Sequence, residues 1–278
     1  MPGDPAVAVA DATASLEEID LIRHSLGLYD PLYVQYYNYM KGIFIRGELA
    51  FSFRGGRRDM TKPLIKSFRV SVSLALIGLG FAVIIGIPLG VIAALKRESY
   101  IDFLIMVFSV IGVSMPIFWL GLLLILLFSL NLGFLPSAGW GTLQQMILPG
   151  ICLSFSTLAL ITRMSRSSML EVMFEDYIRT ARAKGLSERV VVLRHALKNA
   201  MIPIVTVAAL RFGPLLGGAI IVETIFGIPG TGRLLTEAVM FRDMPLVQGG
   251  ILIMSLAVLS LNLIVDLIYG ILDPRIRL

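Results

Sequence analysis

Few residues of this chain have the types and spacing that chemistry requires. Arg211 is the only charged residue in an apolar stretch, residues 201–222. A guanidinium in such a stretch needs water, a carboxylate or a backbone carbonyl, so Arg211 is a candidate for binding an anionic group. An ion pair with another subunit or with lipid headgroups is the alternative.

The glycines of residues 227–232 match the spacing of a phosphate-binding loop, but Arg233 and Leu234 replace the Lys and the Ser or Thr that such a loop requires. Since no nucleophile stands beside a base and no carboxylates are paired in a defined setting, the sequence does not indicate an enzyme.

A second candidate site is the charged, helix-favouring stretch of residues 175–185, which lies between two hydrophobic stretches. Residues 171–184 contain no Gly or Pro and predict a helix. Gly185 can adopt the left-handed conformation that ends this helix, and Ser187 can cap the next one. We expect the tip between the two helices to contact a soluble partner, although an ordinary basic loop is the alternative. The candidate contact residues are Glu175, Asp176, Tyr177, Arg179, Thr180, Ala181, Arg182, Ala183, Lys184 and Gly185.

The second of these helices has an apolar face. Four of its residues recur at helical spacing, namely Val190, Leu193, Leu197 and Ala200. We expect this face to pack on the membrane or on neighbouring helices, and Arg194 and Lys198 to face water.

The composition indicates a membrane protein. Of the 278 residues, 56% are hydrophobic and 15% are charged, and the mean hydropathy is +0.84. These values are typical of an all-α, polytopic bundle of membrane helices in a lipid bilayer. The net charge of +5 does not indicate a nucleic-acid partner, because the basic residues lie between hydrophobic stretches, as the positive-inside rule predicts. Cys152 is the only cysteine, and His24 and His195 are the only histidines, so we expect no disulfide within the chain and no metal site.

Five stretches are long and apolar enough to suggest membrane spans. They are residues 70–95, 103–130, 147–162, 201–222 and 244–265. The uncharged run of residues 103–162 is too long for one helix, and it contains residues that favour a turn, namely Asn131, Gly133, Pro136, Gly139 and Gly141. Lys and Arg concentrate in the loops at residues 96–97 and 163–198, which places these loops in the cytoplasm.

The amino-terminal segment disagrees with this orientation. Its basic residues would lie outside, namely Arg23, Lys41, Arg46, Arg54, Arg57, Arg58, Lys62 and Lys66. No apolar stretch or signal peptide at Met1 would carry them across. We therefore expect a hydrophobic helix of about 20 residues before the present Met1, with six spans in the native protein and five in this chain. The predicted regions are an external elbow over residues 1–67 and a transmembrane domain over residues 68–278, with a cytoplasmic segment at residues 171–200.

Proline and glycine interrupt several predicted spans. Pro116 lies inside the second span, and Pro214 and Gly217 lie inside the fourth. Broken helices and small residues suit a pathway that changes shape, although tight static packing is the alternative. Together with Arg211, these residues form the candidate substrate pathway.

Several motifs resemble those of one transporter family. Residues 175–185 resemble the coupling segment of the transmembrane subunits of binding-protein-dependent ABC importers. The continuation RHALKNAMIPIVT, at residues 194–206, is similar to the dipeptide and oligopeptide branch. Other motifs of this branch follow in order, namely PGDP at residues 2–5, LGLYDPLYVQY at 26–36, IFGIPGTGRL at 225–234 and DPRIR at 273–277. The chain is identified as a permease subunit of this branch, which includes nickel and glutathione importers, with a type I importer permease fold in a bacterial-type inner membrane.

The resemblance also implies partners and a substrate class. We expect a second homologous permease subunit, two ATPase subunits that bind ATP and Mg²⁺ and contact residues 175–185, and an external substrate-binding protein. No cofactor is expected in this chain itself. Di- or oligopeptides are the expected substrates, with glutathione or chelated nickel as alternatives. An ion-driven secondary transporter is the competing interpretation, but such proteins usually carry carboxylates or histidines within their spans.

One departure from the broader family concerns the coupling segment. The family motif begins with Glu-Ala-Ala six residues before its glycine, whereas this chain has Arg179, Thr180 and Ala181 there. The acidic residues are Glu175 and Asp176 instead. We therefore assign the coupling role to the segment and to no single side chain.

Overall fold

The computed structural model describes residues 6–7, 10, 14–25, 27–52 and 58–272, with side chains described as far as residue 263. The motifs at residues 2–5 and 273–277, together with Leu26, Arg54 and Arg57, lie outside the described residues. The chain divides into two compact units. One consists of Met1–Ser71 with Pro229–Ala257, and the other of Val72–Ile228 with Val258–Leu278.

The amino-terminal segment forms two helices and a small sheet. They are α1 (Leu16–Ser25), α2 (Leu32–Arg46), β1 (Phe51–Ser52) and β2 (Arg58–Asp59). The two strands pair antiparallel. Gly47 ends α2 in the left-handed conformation, with φ of +66°, and its N–H donates to the carbonyl of Gly42.

The first two predicted spans form one long helix and one bent helix pair. They are α3 (Thr61–Leu95), α4 (Tyr100–Ser114) and α5 (Ile117–Asn131). Ser99 caps α4, because its hydroxyl accepts a hydrogen bond from the N–H of Asp102. The helix axis bends by 109° between α4 and α5. Pro116 at their junction has no N–H to continue the helical hydrogen bonds.

Four helices follow the predicted turn, which is confirmed over residues 132–142. They are α6 (Leu143–Met173), α7 (Asp176–Ala183), α8 (Glu188–Leu210) and α9 (Phe212–Ile225). Thr142 and Gln145 form a capping box at the start of α6. Helix α8 contains a π-helical turn, Val191–Ala196, in which hydrogen bonds join residues five apart.

The core of the second unit lies between the second half of α3 and helices α6, α7 and α8. Ile161, Met169, Val191 and Ile204 are fully buried there. At Gly90 the backbones approach so closely that a Cβ would lie 2.4 Å from the carbonyl oxygen of Thr162. This contact requires a glycine.

The last two helices are α10 (Thr231–Met240) and α11 (Met244–Leu272). Helix α10 and the first half of α11 belong to the first unit. The hydroxyl of Ser52 donates a hydrogen bond to the buried carboxylate of Asp243. The apolar core of this unit contains Ala50, Leu64, Ala238 and Leu246.

The described residues contain four helices that are long and apolar enough to cross a membrane, and five spans if α4 and α5 count as one. Five spans were predicted, but the fourth, residues 201–222, was misplaced. It is two helices, of which α8 starts earlier, at Glu188, and α9 is a shorter apolar helix. Pro214 explains the break because it has no N–H for the carbonyl of Leu210. Charged residues in the first turns of α8 conceal its start in a search for apolar runs.

Candidate functional site

The tip segment (residues 175–185) is a short helix with one anchored face. Ile178 and Ala181 of α7 are buried in the core with α3, α6 and α8. The opposite face is open, because the side chains of Asp176 and Arg179 are 95% and 71% exposed. One face of α7 is therefore fixed to the bundle and the other is exposed.

Two polar contacts also fix α7 to α8. The amide of Asn199 donates to the hydroxyl of Tyr177 at 2.7 Å. The guanidinium of Arg182 donates to both carboxylate oxygens of Glu188, at 3.1 and 2.7 Å. This hydrogen bonding to the Glu188 carboxylate raises the pKa of Arg182 above its usual value. Because the second contact spans the turn at Gly185, it holds the end of α7 against the start of α8.

The helices around the tip segment differ in part from those predicted. Gly185 has the predicted left-handed conformation, with φ of +77°. Ser187 precedes α8, but its side chain makes no capping hydrogen bond. The predicted continuous helix over residues 171–184 is wrong, because α6 and α7 are separate helices. After this break, Ile178 of α7 is fully buried, which contributes about 2 kcal/mol.

The buried face of α8 also differs from the predicted face. Ala200 is buried and Leu197 packs against the core, as expected, but Val190 and Leu193 are exposed. The other buried residues in this part are Val191, Val192 and Ala196. The π-helical turn explains the error, because its extra residue rotates the face by one position. Arg194 and Lys198 are exposed, as predicted.

A partly buried ion pair between α4 and α6 was not predicted. Arg166 of α6 donates from Nε and Nη2 to the two carboxylate oxygens of Asp102, at 2.6 and 2.7 Å. The side chain of Asp102 is only 6% exposed, and its carboxylate also accepts a hydrogen bond from the N–H of Glu98 at 3.0 Å. The sequence held one signal, since both residues lie close to the ends of the uncharged run 103–162. A chain that crosses and returns brings such ends together.

The turn between α3 and α4 makes a further contact with the start of the tip segment. The guanidinium of Arg97 lies 5.9 Å from the ring centroid of Phe174, within the range of a cation–π interaction. Phe174 is one of the two residues between α6 and α7. The turn therefore contacts the residue just before the tip segment.

Arg211 lies at the junction between α8 and α9 and not at the centre of one helix. Its Nη2 donates to the hydroxyl of Ser156 on α6 at 3.4 Å. Its Nε is buried and has no hydrogen-bond partner among the described residues. The guanidinium is therefore only partly satisfied.

The pathway candidates Pro214 and Gly217 lie on one face of α9. Both are exposed, as are Ile221 and Thr224 at the next positions of the same helical stripe. A Cβ at Gly217 would meet no atom within 4 Å. This face of α9 is open beside Arg211.

Pro116, the remaining pathway candidate, lies at the α4–α5 junction. The carbonyl of the next residue, Ile117, accepts a hydrogen bond from the thiol of Cys152 on α6 at 3.4 Å. The side chain of Ile117 also lies 3.7 Å from the position of a Cβ at Gly218 on α9. The α4–α5 junction thus packs on α6 and α9, the helices that also carry Ser156 and Pro214.

Comparison with known families identifies the class of protein. Residues 86–278 match the family described as the binding-protein-dependent transport system inner membrane component. The chain belongs to this family. Residues 1–55 match the amino-terminal region of membrane components of the same transport systems.

Curated relatives of this importer family are similar over the whole chain. The glutathione transport system permease protein GsiC of Escherichia coli strain K12 is 44% identical over 277 residues, which is 100% of this chain and 90% of the relative. GsiC of Shigella flexneri serotype 5b is 43% identical over the same extents.

Solved ABC transporters share the fold. An inward-facing structure of the MetNI methionine ABC transporter has a TM-score of 0.67 at 18% identity and covers 77% of this chain and 98% of that chain. An amino acid ABC transporter with histidines has a TM-score of 0.56 at 16% identity and covers 75% of this chain and 93% of that chain. The predicted all-α, type I importer permease fold is confirmed.

The importer family also decides between the two predicted functions. The chain is a membrane-spanning permease subunit of an ABC importer, as predicted, and not an ion-driven secondary transporter. Its predicted multi-pass location in the inner membrane is confirmed as well.

Proposed function

We propose that the tip segment couples ATP hydrolysis in a separate ATPase subunit to movement of this permease. The observation that carries the proposal is the two-sided packing of α7. Ile178 and Ala181 are buried in the bundle, whereas Asp176, Arg179 and Thr180 face outward. A helix that is anchored on one face moves with the helices beneath it, so a pull on its free face moves α6 and α8 as well.

The polar contacts around α7 extend this rigid connection. Tyr177 and Arg182 bind α8 through Asn199 and Glu188. Helix α6 also binds the start of α4 through the partly buried pair of Asp102 and Arg166. This pair connects the bent α4–α5 pair to α6. Movement of the tip segment would therefore reach α4, α6 and α8 together.

The proposed assembly follows from the family. Two ATPase subunits would bind ATP and Mg²⁺ and hydrolyse the ATP, so this chain needs no cofactor of its own. An external binding protein would deliver substrate, since the family is named for its dependence on one. A second homologous permease subunit would complete the pathway. Residues 1–67 would form an external elbow, and residues 68–278 the transmembrane domain with its coupling region at residues 171–200.

The proposed substrate is a small peptide, with glutathione as the first compound to test. Relatives at 43–44% identity over the whole chain are named as glutathione permeases. Glutathione is a tripeptide, which agrees with the sequence motifs of the peptide branch. Di- and oligopeptides are candidates of the same chemical class.

The proposed pathway follows the open face of α9. Pro214 and Gly217 line this face, and Arg211 lies at its start. The helix breaks at Pro116 and Pro214 would allow the helices to change between inward and outward access.

Cross-linking from single cysteines tests the coupling proposal. The native Cys152 is 1% exposed and is not expected to react. A cysteine at Thr180, on the free face, should cross-link to the ATPase subunit, whereas a cysteine at the buried Ala181 serves as the matched control and should not. Equal cross-linking at both positions, or none at Thr180 in an assembly that hydrolyses ATP, would show that this face is not the docking surface.

A transport assay tests the proposed substrate. Uptake of labelled glutathione should require the binding protein, and uptake of only an unrelated solute would contradict a peptide substrate.

A further inference from the structure

The guanidinium of Arg211 has more hydrogen-bond donors than partners. A guanidinium carries five N–H donors. Among the described residues, Arg211 makes one side-chain hydrogen bond, the long contact of 3.4 Å to Ser156. Its Nε is buried without a partner, and no carboxylate of the described residues forms an ion pair with it. A charge that is partly withdrawn from water and left unpaired is unfavourable unless a ligand satisfies it.

The surroundings of Arg211 strengthen the attraction for an anion. Ala208 and Phe212, which lie three residues before and one residue after Arg211 in the chain, are buried and apolar, and its hydrogen-bond partner Ser156 offers a neutral hydroxyl. Charge-assisted hydrogen bonds are stronger in such an environment than in water. An anion in the membrane would gain more from this arginine than from an exposed one.

A ligand also has room to approach. A Cβ at Gly213 would meet only the side chain of Val258, at 3.6 Å, and a Cβ at Gly217 would meet no atom within 4 Å. Pro214 and Gly217 are exposed on the same helix. The backbone of α9 just after Arg211 is therefore not closely packed at Gly213 and Gly217.

We propose that Arg211 binds a carboxylate of the substrate during its passage through the membrane. The planar fork of a guanidinium can donate two parallel hydrogen bonds to a carboxylate. Every free peptide carries a carboxylate at its carboxyl terminus, and glutathione carries two. This inference rests on the proposed peptide substrate and adds the chemical group that the permease itself recognises.

The test compares substrates that differ only at a carboxylate. Proteoliposomes containing the whole assembly and its binding protein take up glutathione or one of two derivatives, in each of which one carboxylate is replaced by an amide. The permease is native, Arg211→Gln, Arg211→Lys or the control Arg163→Gln, which removes an exposed arginine of α6. Every permease receives the same loaded binding protein, so differences in delivery cancel when preferences are compared.

The native permease should prefer glutathione over at least one of the derivatives. Arg211→Gln should reduce this preference about tenfold, which corresponds to the loss of about 1.4 kcal/mol. Arg211→Lys should retain part of the preference, because it keeps the charge but not the fork, and Arg163→Gln should retain all of it.

Two results would overturn the inference while leaving the proposed substrate intact. One is an unchanged preference in Arg211→Gln. The other is an equal loss of uptake for all three compounds, which would give Arg211 a structural role that does not depend on the substrate. Uptake of none of the three compounds by the native assembly would instead refute the peptide substrate, and this inference with it.

Discussion

A Gly90→Ala substitution is expected to destabilise the packing of α3 on α6. The added Cβ would lie 2.4 Å from the Cβ of Ser165, 2.4 Å from the carbonyl oxygen of Thr162 and 3.0 Å from the backbone nitrogen of Arg166. Because two of these three atoms belong to the backbone, no side-chain rotation can make enough room. The two helices would have to separate by about 1 Å to restore ordinary van der Waals distances.

The expected loss is a net difference of two effects. Forcing extra atoms into a well-packed contact costs about 1–3 kcal/mol. Alanine in place of glycine inside a helix gains about 1 kcal/mol. The net destabilisation is therefore about 0–2 kcal/mol, and the two contacts of 2.4 Å at Gly90 favour the upper end of this range, about 2 kcal/mol. Gly80 on the same helix is a matched control, because a Cβ there would meet no atom within 4 Å. Gly80→Ala therefore has only the gain in helix propensity and no steric cost.

The assay is thermal unfolding of the assembled transporter in lipid nanodiscs. Gly90→Ala should melt below the native protein, and Gly80→Ala should melt at the native temperature or above it. A Gly90→Ala protein that melts with the native one would refute the close approach of α3 and α6.

Three further substitutions test the contacts near the tip segment. Asp102→Asn leaves the partly buried Arg166 without its counter-charge and should cost about 2–3 kcal/mol in the same melting assay. Adding Arg166→Gln should recover most of this loss, and no recovery would contradict the ion pair. Ile178→Ala removes a fully buried side chain from the anchored face, so it should cost about 3 kcal/mol and lower the substrate taken up per ATP hydrolysed. Tyr177→Phe loses only the hydrogen bond to Asn199 and should cost about 1 kcal/mol, so a larger loss than that of Ile178→Ala would reverse our ranking of the contacts.

The sequence was sufficient for features that depend on local chemistry. Hydropathy located four of the five spans, because each one must present apolar side chains to lipid. Pro116 marked a real break, and Gly185 marked a left-handed turn, because both depend on the backbone properties of a single residue type.

Features that depend on tertiary packing were missed. Helix α8 begins at Glu188. A search for apolar runs missed this start because its first turns contain charged residues. Its π-helical turn moved the buried face away from Val190 and Leu193, and periodicity alone assumes a regular α-helix. The pair of Asp102 and Arg166 joins residues 64 positions apart, a distance at which no local pattern operates.

The candidate site was predictable in position but not in geometry. The charge pattern of residues 175–185 and the lone charge of Arg211 are visible in the sequence. The anchored face of α7 depends on where α6 ends, and the unsatisfied Nε of Arg211 depends on which groups surround it. Both require the folded arrangement.

The most direct test of the coupling role measures ATP hydrolysis by the complete assembly in lipid, with and without substrate-loaded binding protein. The decisive variant is Gly185→Pro, because proline holds φ near −65° whereas Gly185 has φ of +77°. Gly80→Ala is the control. Our account predicts that loaded binding protein stimulates hydrolysis in the native and Gly80→Ala assemblies, and that Gly185→Pro loses this stimulation although all subunits remain assembled. Full stimulation in an intact Gly185→Pro assembly would contradict the coupling role of the tip segment.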